Sequence, residues 1–385
     1  MINRTSLQKI LNLSIVCGGL CFIAPSLAQE KASSDSDFKV TGFLSIVGGG
    51  VTAGKLDSNY VGPPQLDGHN CPCYVADFNN GGTYTKTFSL KPESRAGIQA
   101  NYQATTNLSF VGQVTIRGTD ATPSIQWAYG AYKLDKNWEI QIGRKRIPLY
   151  YYSDFQDIGV AYPWINPPPE LYGWEVTNYN GGSIRYNNSI GDTTVNASVF
   201  AGTERNKNSL YEKLFYSGRN EAAWRKIIGG DVEFSRDFFT VRGIYLQADA
   251  SLKVFDSGID TVAQLQAYGL AANLDFEKWF VLSELTQVKR MFKKESYAIR
   301  SPAWTLGVGL RLGSWTPFIN YASYKDHTND LRQYSPQIFR RTSATLRYDV
   351  DASSAIKAQI DRYRDVGNLL GGNNTVLRIS YDRVF

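Results

Sequence analysis

Residues 107–117 read Asn107-Leu108-Ser109-Phe110-Val111-Gly112-Gln113-Val114-Thr115-Ile116-Arg117. Leu108, Phe110, Gly112, Val114 and Ile116 fall on one phase of a two-residue period, and Ser109, Val111, Gln113, Thr115 and Arg117 on the other. A period of two with one apolar phase describes a strand that buries or greases one face and wets the other. The same pattern sets Ala96, Ile98, Ala100 and Tyr102 against Arg95, Gln99 and Asn101. It sets Leu306, Val308, Leu310 and Leu312 against Thr305, Gly307, Gly309 and Arg311, and Thr342, Ala344, Leu346, Tyr348 and Val350 against Arg341, Ser343, Thr345, Arg347 and Asp349. Read outward in both directions, the alternation predicts sixteen strands: 38–47, 94–102, 107–117, 124–134, 137–144, 181–188, 193–201, 227–235, 238–248, 262–274, 278–289, 303–312, 315–324, 339–350, 354–363 and 375–385.

The connections decide what the strands build. Tight turns sit at Thr105-Thr106, Asp135-Lys136, Ser189-Ile190-Gly191, Ser235-Arg236-Asp237, Asp275-Phe276-Glu277, Gly313-Ser314 and Asp351-Ala352-Ser353. The connections between them are mostly longer, and 48–93, 145–180 and 202–226 are very long. A soluble sandwich has no reason to alternate turn lengths in this way. A membrane barrel does, with an even strand count, short turns at one end and long loops at the other. Closure follows from physics, because a free strand edge in hydrocarbon leaves backbone groups unpaired at several kcal/mol each. The expected fold is therefore all-β: a sixteen-stranded antiparallel transmembrane barrel, with both termini at the short-turn end. Trp138, Trp279, Trp304, Trp315, Tyr348 and Phe385 lie near predicted strand ends, where aromatic girdles meet the lipid–water boundary. The last strand places Leu377, Ile379, Tyr381 and Phe385 on one face, with Arg383 able to snorkel at the membrane edge.

Composition agrees. The chain has 385 residues with 41 basic and 35 acidic side chains, and it is rich in Gly (34) and Tyr (24) but holds only two His and two Met. Mean hydropathy is −0.30, a value that would suggest solubility in a helical protein but not in a barrel whose strands are only half apolar. Arg4 and Lys9 precede an apolar run from Ile10 to Ile23, followed by Ala24-Pro25-Ser26-Leu27-Ala28, the layout of a secretory signal peptide over 1–28. Residues 29–385 then form the barrel domain, with 39 basic and 35 acidic residues and a net charge of +4. That balance argues against nucleic acid as a partner. Neither Val16 before Cys17 nor Leu20 before Cys21 suits a lipoprotein site. The exported chain keeps Cys71 and Cys73, for which a local disulfide in an oxidising compartment is the better reading and a metal site with His69 the poorer one. No cofactor is expected.

The fifth strand ends in Trp138-Glu139-Ile140-Gln141-Ile142-Gly143-Arg144, and a long segment rich in Tyr, Trp and Pro follows before Ser183-Ile184-Arg185-Tyr186. At Gly143-Arg144, at Ser183–Tyr186 and at the terminal Phe385, the chain resembles the Gram-negative trimeric porin superfamily. The resemblance implies a homotrimer in the outer membrane and a third loop, about 145–180, folded into the barrel as a constriction. The loop departs from the general porin pattern, which is acidic and contains Gly.

Sixteen strands leave a lumen wide enough for water. Arg95, Arg117, Arg185, Arg311, Arg347, Lys357 and Arg378 lie on the polar phase of their strands, as pore-wall bases. Arg144, Arg146, Tyr152, Asp154, Asp157, Trp164 and Glu170 belong to the constriction segment. Bases on the wall facing acids on the loop across a narrow aqueous gap would create a transverse field that favours small polar solutes. Wall bases outnumber the acids Asp154, Asp157, Glu170, Glu284 and Asp361, which points to a passive channel for small hydrophilic solutes and ions with mild anion preference, set mainly by Arg95, Arg117 and Arg378. The alternative is a substrate-specific channel in which the eight aromatics between Tyr150 and Trp174 stack on an oligosaccharide or an aromatic solute. An outer-membrane lipase or protease would need a nucleophile with a His partner, or paired acids at the rim. The sequence offers no Ser-centred motif near His69 or His327, so no enzymatic activity is expected. A receptor surface on loop 48–93 is compatible with a channel.

Overall fold

A computed structural model describes residues 37–60, 62–63, 71–120 and 122–385. Residues 1–28, read above as a signal peptide, and His69 lie outside the described residues. All sixteen expected strands form. We label them β1 (Phe38–Lys55), β2 (Arg95–Gln103), β3 (Leu108–Arg117), β4 (Ser124–Lys133), β5 (Trp138–Arg146), β6 (Asn178–Ile190), β7 (Thr193–Lys207) and β8 (Asn220–Arg236). The second half comprises β9 (Phe239–Val254), β10 (Ile259–Asp275), β11 (Trp279–Phe292), β12 (Tyr297–Leu310), β13 (Trp315–Lys325), β14 (Ile338–Asp351), β15 (Ser354–Asp365) and β16 (Asn373–Val384). Each pairs antiparallel with its neighbour in sequence, and β1 pairs with both β2 and β16, so the sheet closes and has no free edge. Closure extends to the last residue, because Phe385 exchanges backbone hydrogen bonds of 2.6 and 3.0 Å with Gly42 on β1.

Several strands run further than the alternation predicts, mostly toward the long-loop end: β1 reaches Lys55 rather than 47, β9 reaches Val254 rather than 248, and β8 begins at Asn220 rather than 227. Beyond the membrane both faces of a hairpin meet water or packed loop, so the apolar phase that marks a strand fades while pairing continues. For the same reason the long loops are shorter than expected, at 56–94, 147–177 and 208–219. Trp304 is a related correction. It lies in the middle of β12, which begins at Tyr297, whereas Trp138, Trp279, Trp315 and Tyr348 do stand exposed beside short turns.

The outward phase is apolar and uncovered, as at Ile98, Phe110, Val114, Ile142, Val199, Leu306, Ile319, Leu377 and Ile379. This is the surface that a lipid solvent stabilises. The inward phase is polar but mostly not wet. Phe339, Arg341, Ser343 and Thr345 on β14, Lys357, Gln359, Asp361 and Tyr363 on β15, and Val376, Arg378, Ser380 and Asp382 on β16 are all buried. They are covered by chain inserted from the long-loop end. Part of it is a hairpin in the first long loop, Tyr74–Asp77 with Gly82–Tyr84, which the sequence reading did not foresee. The structure joins Cys71 and Cys73 at its base by a disulfide. Tyr74 and Tyr84 are fully buried against Tyr363, Phe339 and Val376.

Candidate functional site: the loop inside the barrel

The inserted loop starts where β5 ends. Gly143 has φ +140°, and a Cβ there would lie 2.2 Å from the Ala128 carbonyl oxygen of β4, so no other residue fits without moving backbone. Past Arg146 the chain leaves the sheet and crosses the lumen. Two short 3-10 turns, Ser153–Phe155 and Gly159–Ala161, fold it compactly.

Wall bases hold the loop largely by its backbone. Arg242 on β9 donates to the carbonyls of Pro148 and Tyr150, both at 3.0 Å. Arg347 on β14 donates to those of Val160 (2.8 Å) and Tyr162 (2.9 Å). Lys357 on β15 donates to those of Gly159 and Trp164, both at 2.6 Å, and pairs with Asp382 at 3.2 Å. The Ile165 amide donates to Gln359, and Gly159 sits so close to Asp382 and Ser45 that a Cβ has no room. A turn or loop carbonyl without a ladder partner needs a donor once water is excluded, and these bases supply it.

Two of the loop carboxylates, Asp157 and Glu170, are paired by contact. Asp157 receives Arg117 and Arg146 at 2.8 Å each, and Arg95 donates to its backbone oxygen at 2.8 Å and to the Tyr162 hydroxyl at 2.6 Å. Glu170 meets Arg341 at 3.1 Å; Arg341 also meets Asp361 at 2.9 Å, and Arg378 bridges Asp361 and Glu93 at 2.6 Å each. Glu284 on β11 accepts from the Tyr151 amide and the Tyr172 hydroxyl. The expected field across open water is thereby corrected for Arg95, Arg117, Lys357 and Arg378, each in direct contact with an acid, because the loop is long enough to reach the wall instead of stopping short of it. Arg347 stays partly exposed and meets loop carbonyls and Asp349.

The aromatic platform is largely taken up by packing: six of its eight rings are buried, and only Tyr151 and Phe155 stay partly exposed. Tyr150, Tyr152, Tyr162, Trp164, Tyr172 and Trp174 are buried together, with Tyr152 edge-on to Trp164 at 5.4 Å and Trp164 edge-on to Phe318 of β13 at 5.1 Å. Their faces are spent on one another and on the wall, so they glue the loop in place and offer no stacking surface to a solute.

The remaining expected residues are elsewhere. Arg144 pairs with Glu204 at 2.6 Å near the loop exit. Arg311 lies just past β12 at the short-turn end, paired with Asp275 at 2.6 Å, and is a mouth residue. Arg185 on β6 and Asp154 on the loop differ from the rest. Asp154 is exposed, Arg185 is partly exposed, and neither has an ion-pair partner among the described residues. Both act electrostatically on Lys145. Around them the lumen side chains of β5–β8 stay partly wet: Glu139, Lys145, Asn196, Asp231 and Glu233. Sequence reasoning missed Arg242, Arg290 and Glu93 as loop anchors. Arg242 and Arg290 were legible as polar-phase residues of their strands, but nothing local says that a loop will meet them.

No protein-family model matches the chain, and no curated protein matches it. Solved structures do. The outer membrane channel DcaP of Acinetobacter baumannii superposes with a TM-score of 0.59 at 12% identity, over 92% of this chain and 99% of that one. An anion-selective porin from Comamonas acidovorans gives 0.55 at 14%, over 90% and 99%. OmpT of Vibrio cholerae, an outer membrane protein solved in a trimer form, gives 0.54 at 10%, over 91% and 100%. At such identities the shared property is architecture, and with the closed sheet, the outward apolar belt and the inserted loop it leads to one statement: the chain has the sixteen-stranded fold of the Gram-negative porins.

Proposed function

We propose that the protein is an outer-membrane channel for small hydrophilic solutes and ions, and that its path runs along the β5–β8 sector of the lumen. The observation that carries the reading is the asymmetry of the lumen. The loop's polar anchors lie mainly on β2, β3, β9, β11, β14 and β15, while Glu139, Lys145, Arg185, Asp231 and Glu233 on β5–β8 keep partial exposure. A narrow passage lined by both signs of charge focuses their fields on whatever enters. Asp154 and Arg185, the unpaired acid and base, are the residues we assign to ion selectivity. With Arg95, Arg117 and Arg378 neutralised by contact, Arg185 and Lys145 are the bases left on this path, against Glu139, Asp154, Asp231 and Glu233, so the anion preference read from the sequence is not carried over to it.

The neighbours described as porins and as a channel support a non-enzymatic role. A homotrimer is proposed by analogy with the trimer form of the Vibrio protein. An outward depression of about 430 Å3 bordered by Ala100, Gly112, Ala128 and Gly130 offers a flat seat for a second barrel.

Purified protein in planar bilayers tests the reading through single-channel conductance and reversal potential under a salt gradient. Arg185→Gln is expected to move the reversal potential toward cations and Asp154→Asn toward anions. Ohmic conductance that is absent, or unmoved by both variants, overturns the assigned path.

A further inference from the structure

A second cavity, of about 200 Å3, lies at the long-loop end between the inserted chain and the wall of β9–β13. Its lining is aromatic. Tyr211, Phe215 and Tyr216 come from the loop 208–219, Phe292 and Tyr297 from the facing ends of β11 and β12, and Tyr334 from the loop 326–337. Phe292 and Tyr297 stack at 4.5 Å, and Tyr211 and Phe215 pack at 5.3 Å.

Three charged side chains line the same cavity. Glu175 is satisfied, since Arg290 grips both its oxygens at 2.7 Å and the Trp224 indole N–H donates to it at 2.8 Å. Glu212 is not. Its residue is 4% exposed, no hydrogen bond or ion pair to its carboxylate forms among the described residues, and its oxygens keep a little accessible surface where Glu212 lines the cavity. A mostly buried acid without a partner is costly. Burial, with the neighbouring Glu175 charge adding to it, holds the Glu212 carboxyl well above the ordinary carboxylate range despite the opposing pull of Arg290. Glu175 and Arg290 cancel, so an ionised Glu212 leaves the cavity one negative charge in excess.

We propose that this cavity is a binding site for a small organic monocation of the quaternary ammonium or amine class, with Glu212 as counter-ion and the surrounding rings as a cation–π cage. Aromatic faces attract a cation, more strongly when desolvated, and they recognise alkylated ammonium groups that cannot saturate themselves with hydrogen bonds. A cavity of roughly 150 Å3 already holds a benzene-sized molecule, so choline fits the volume here. The site lies at the external mouth, apart from the β5–β8 path, so its occupancy is independent of whether that path conducts.

Titration calorimetry on the purified full-length protein in detergent, with choline and with its neutral carbon isostere dimethylbutanol, tests the proposal. Choline is expected to bind and the isostere not. Glu212→Gln is expected to weaken choline binding at least about tenfold, while heat-modifiable migration shows that the barrel is intact. Tyr297→Leu, which removes a ring without touching the charge, is expected to weaken it severalfold. Equal binding of choline and the isostere, unchanged affinity in both variants, or no choline binding at millimolar concentration overturns it.

Discussion

Glu170, on the loop inside the barrel, and Arg341, on the lumen face of β14, form an ion pair of 3.1 Å in which neither side chain retains any exposure to water. Arg341 also holds Asp361, which holds Arg378, which holds Glu93 in the first long loop. One dry chain of alternating charges therefore ties two inserted loops to three wall strands. Removing one partner of a buried pair costs about 3–5 kcal/mol, because the other is left charged and unsolvated. Glu170→Gln is expected to loosen the loop by about 3 kcal/mol, since Asp361 still compensates part of the guanidinium charge. The measurement is the urea midpoint of the folded barrel together with current noise in bilayers. A midpoint within error of wild type and quiet wild-type currents contradict the role given to this pair.

Asp157 gathers three arginines from β2, β3 and the end of β5. Replacing Arg95 and Arg117 by Ser leaves it with Arg146 alone. The loop tip should then lift from the wall, so conductance should rise and fluctuate, and the unmasked carboxylate should shift the reversal potential toward cations. Were these two arginines exposed selectivity residues in open water, the reversal potential would change without the added noise, and that result would refute the clamp.

Gly143→Ala tests the loop exit. The added methyl would sit 2.2 Å from the Ala128 carbonyl oxygen at a φ that L-residues rarely adopt, a strain of at least about 1–3 kcal/mol. The expected outcome is a lower yield of heat-modifiable barrel, with Gly182→Ala, a position with ordinary contacts, assembling as wild type. Equal yields for the two variants would falsify the steric argument.

Glu212 also sets a pH dependence of stability. Its folded-state pKa is raised by burial, so between the ordinary carboxylate value and the raised one the folded protein binds more protons than the unfolded chain. Stability from this group falls as pH rises through that window, by up to about 1.4 kcal/mol per pH unit. Glu212→Gln removes the slope, so the urea midpoint of the variant should exceed that of wild type more at pH 9 than at pH 5. A pH-independent difference means that Glu212 reaches water.

The alternation at 107–117 and its repeats determined the strands, their number and which phase meets lipid, because a strand's two faces are written two residues apart and lipid punishes any error in phase. The alternating turn lengths determined closure. The polar phase likewise told which bases look inward: Arg95, Arg117, Arg347, Lys357 and Arg378 all do. What those bases touch was decided only by the tertiary structure. Lys357 ends on the carbonyls of Gly159 and Trp164, nearly two hundred residues earlier in the chain, and no periodicity records where a loop without repeating structure comes to rest. Whether Trp164 stacks on a solute or on Phe318 depends on the space left once Gly143 has turned the chain inward. The same space leaves Asp154 and Arg185 wet while Asp157 and Arg95 are buried, since a lumen of fixed circumference can be filled by one loop along most of its wall but not all of it.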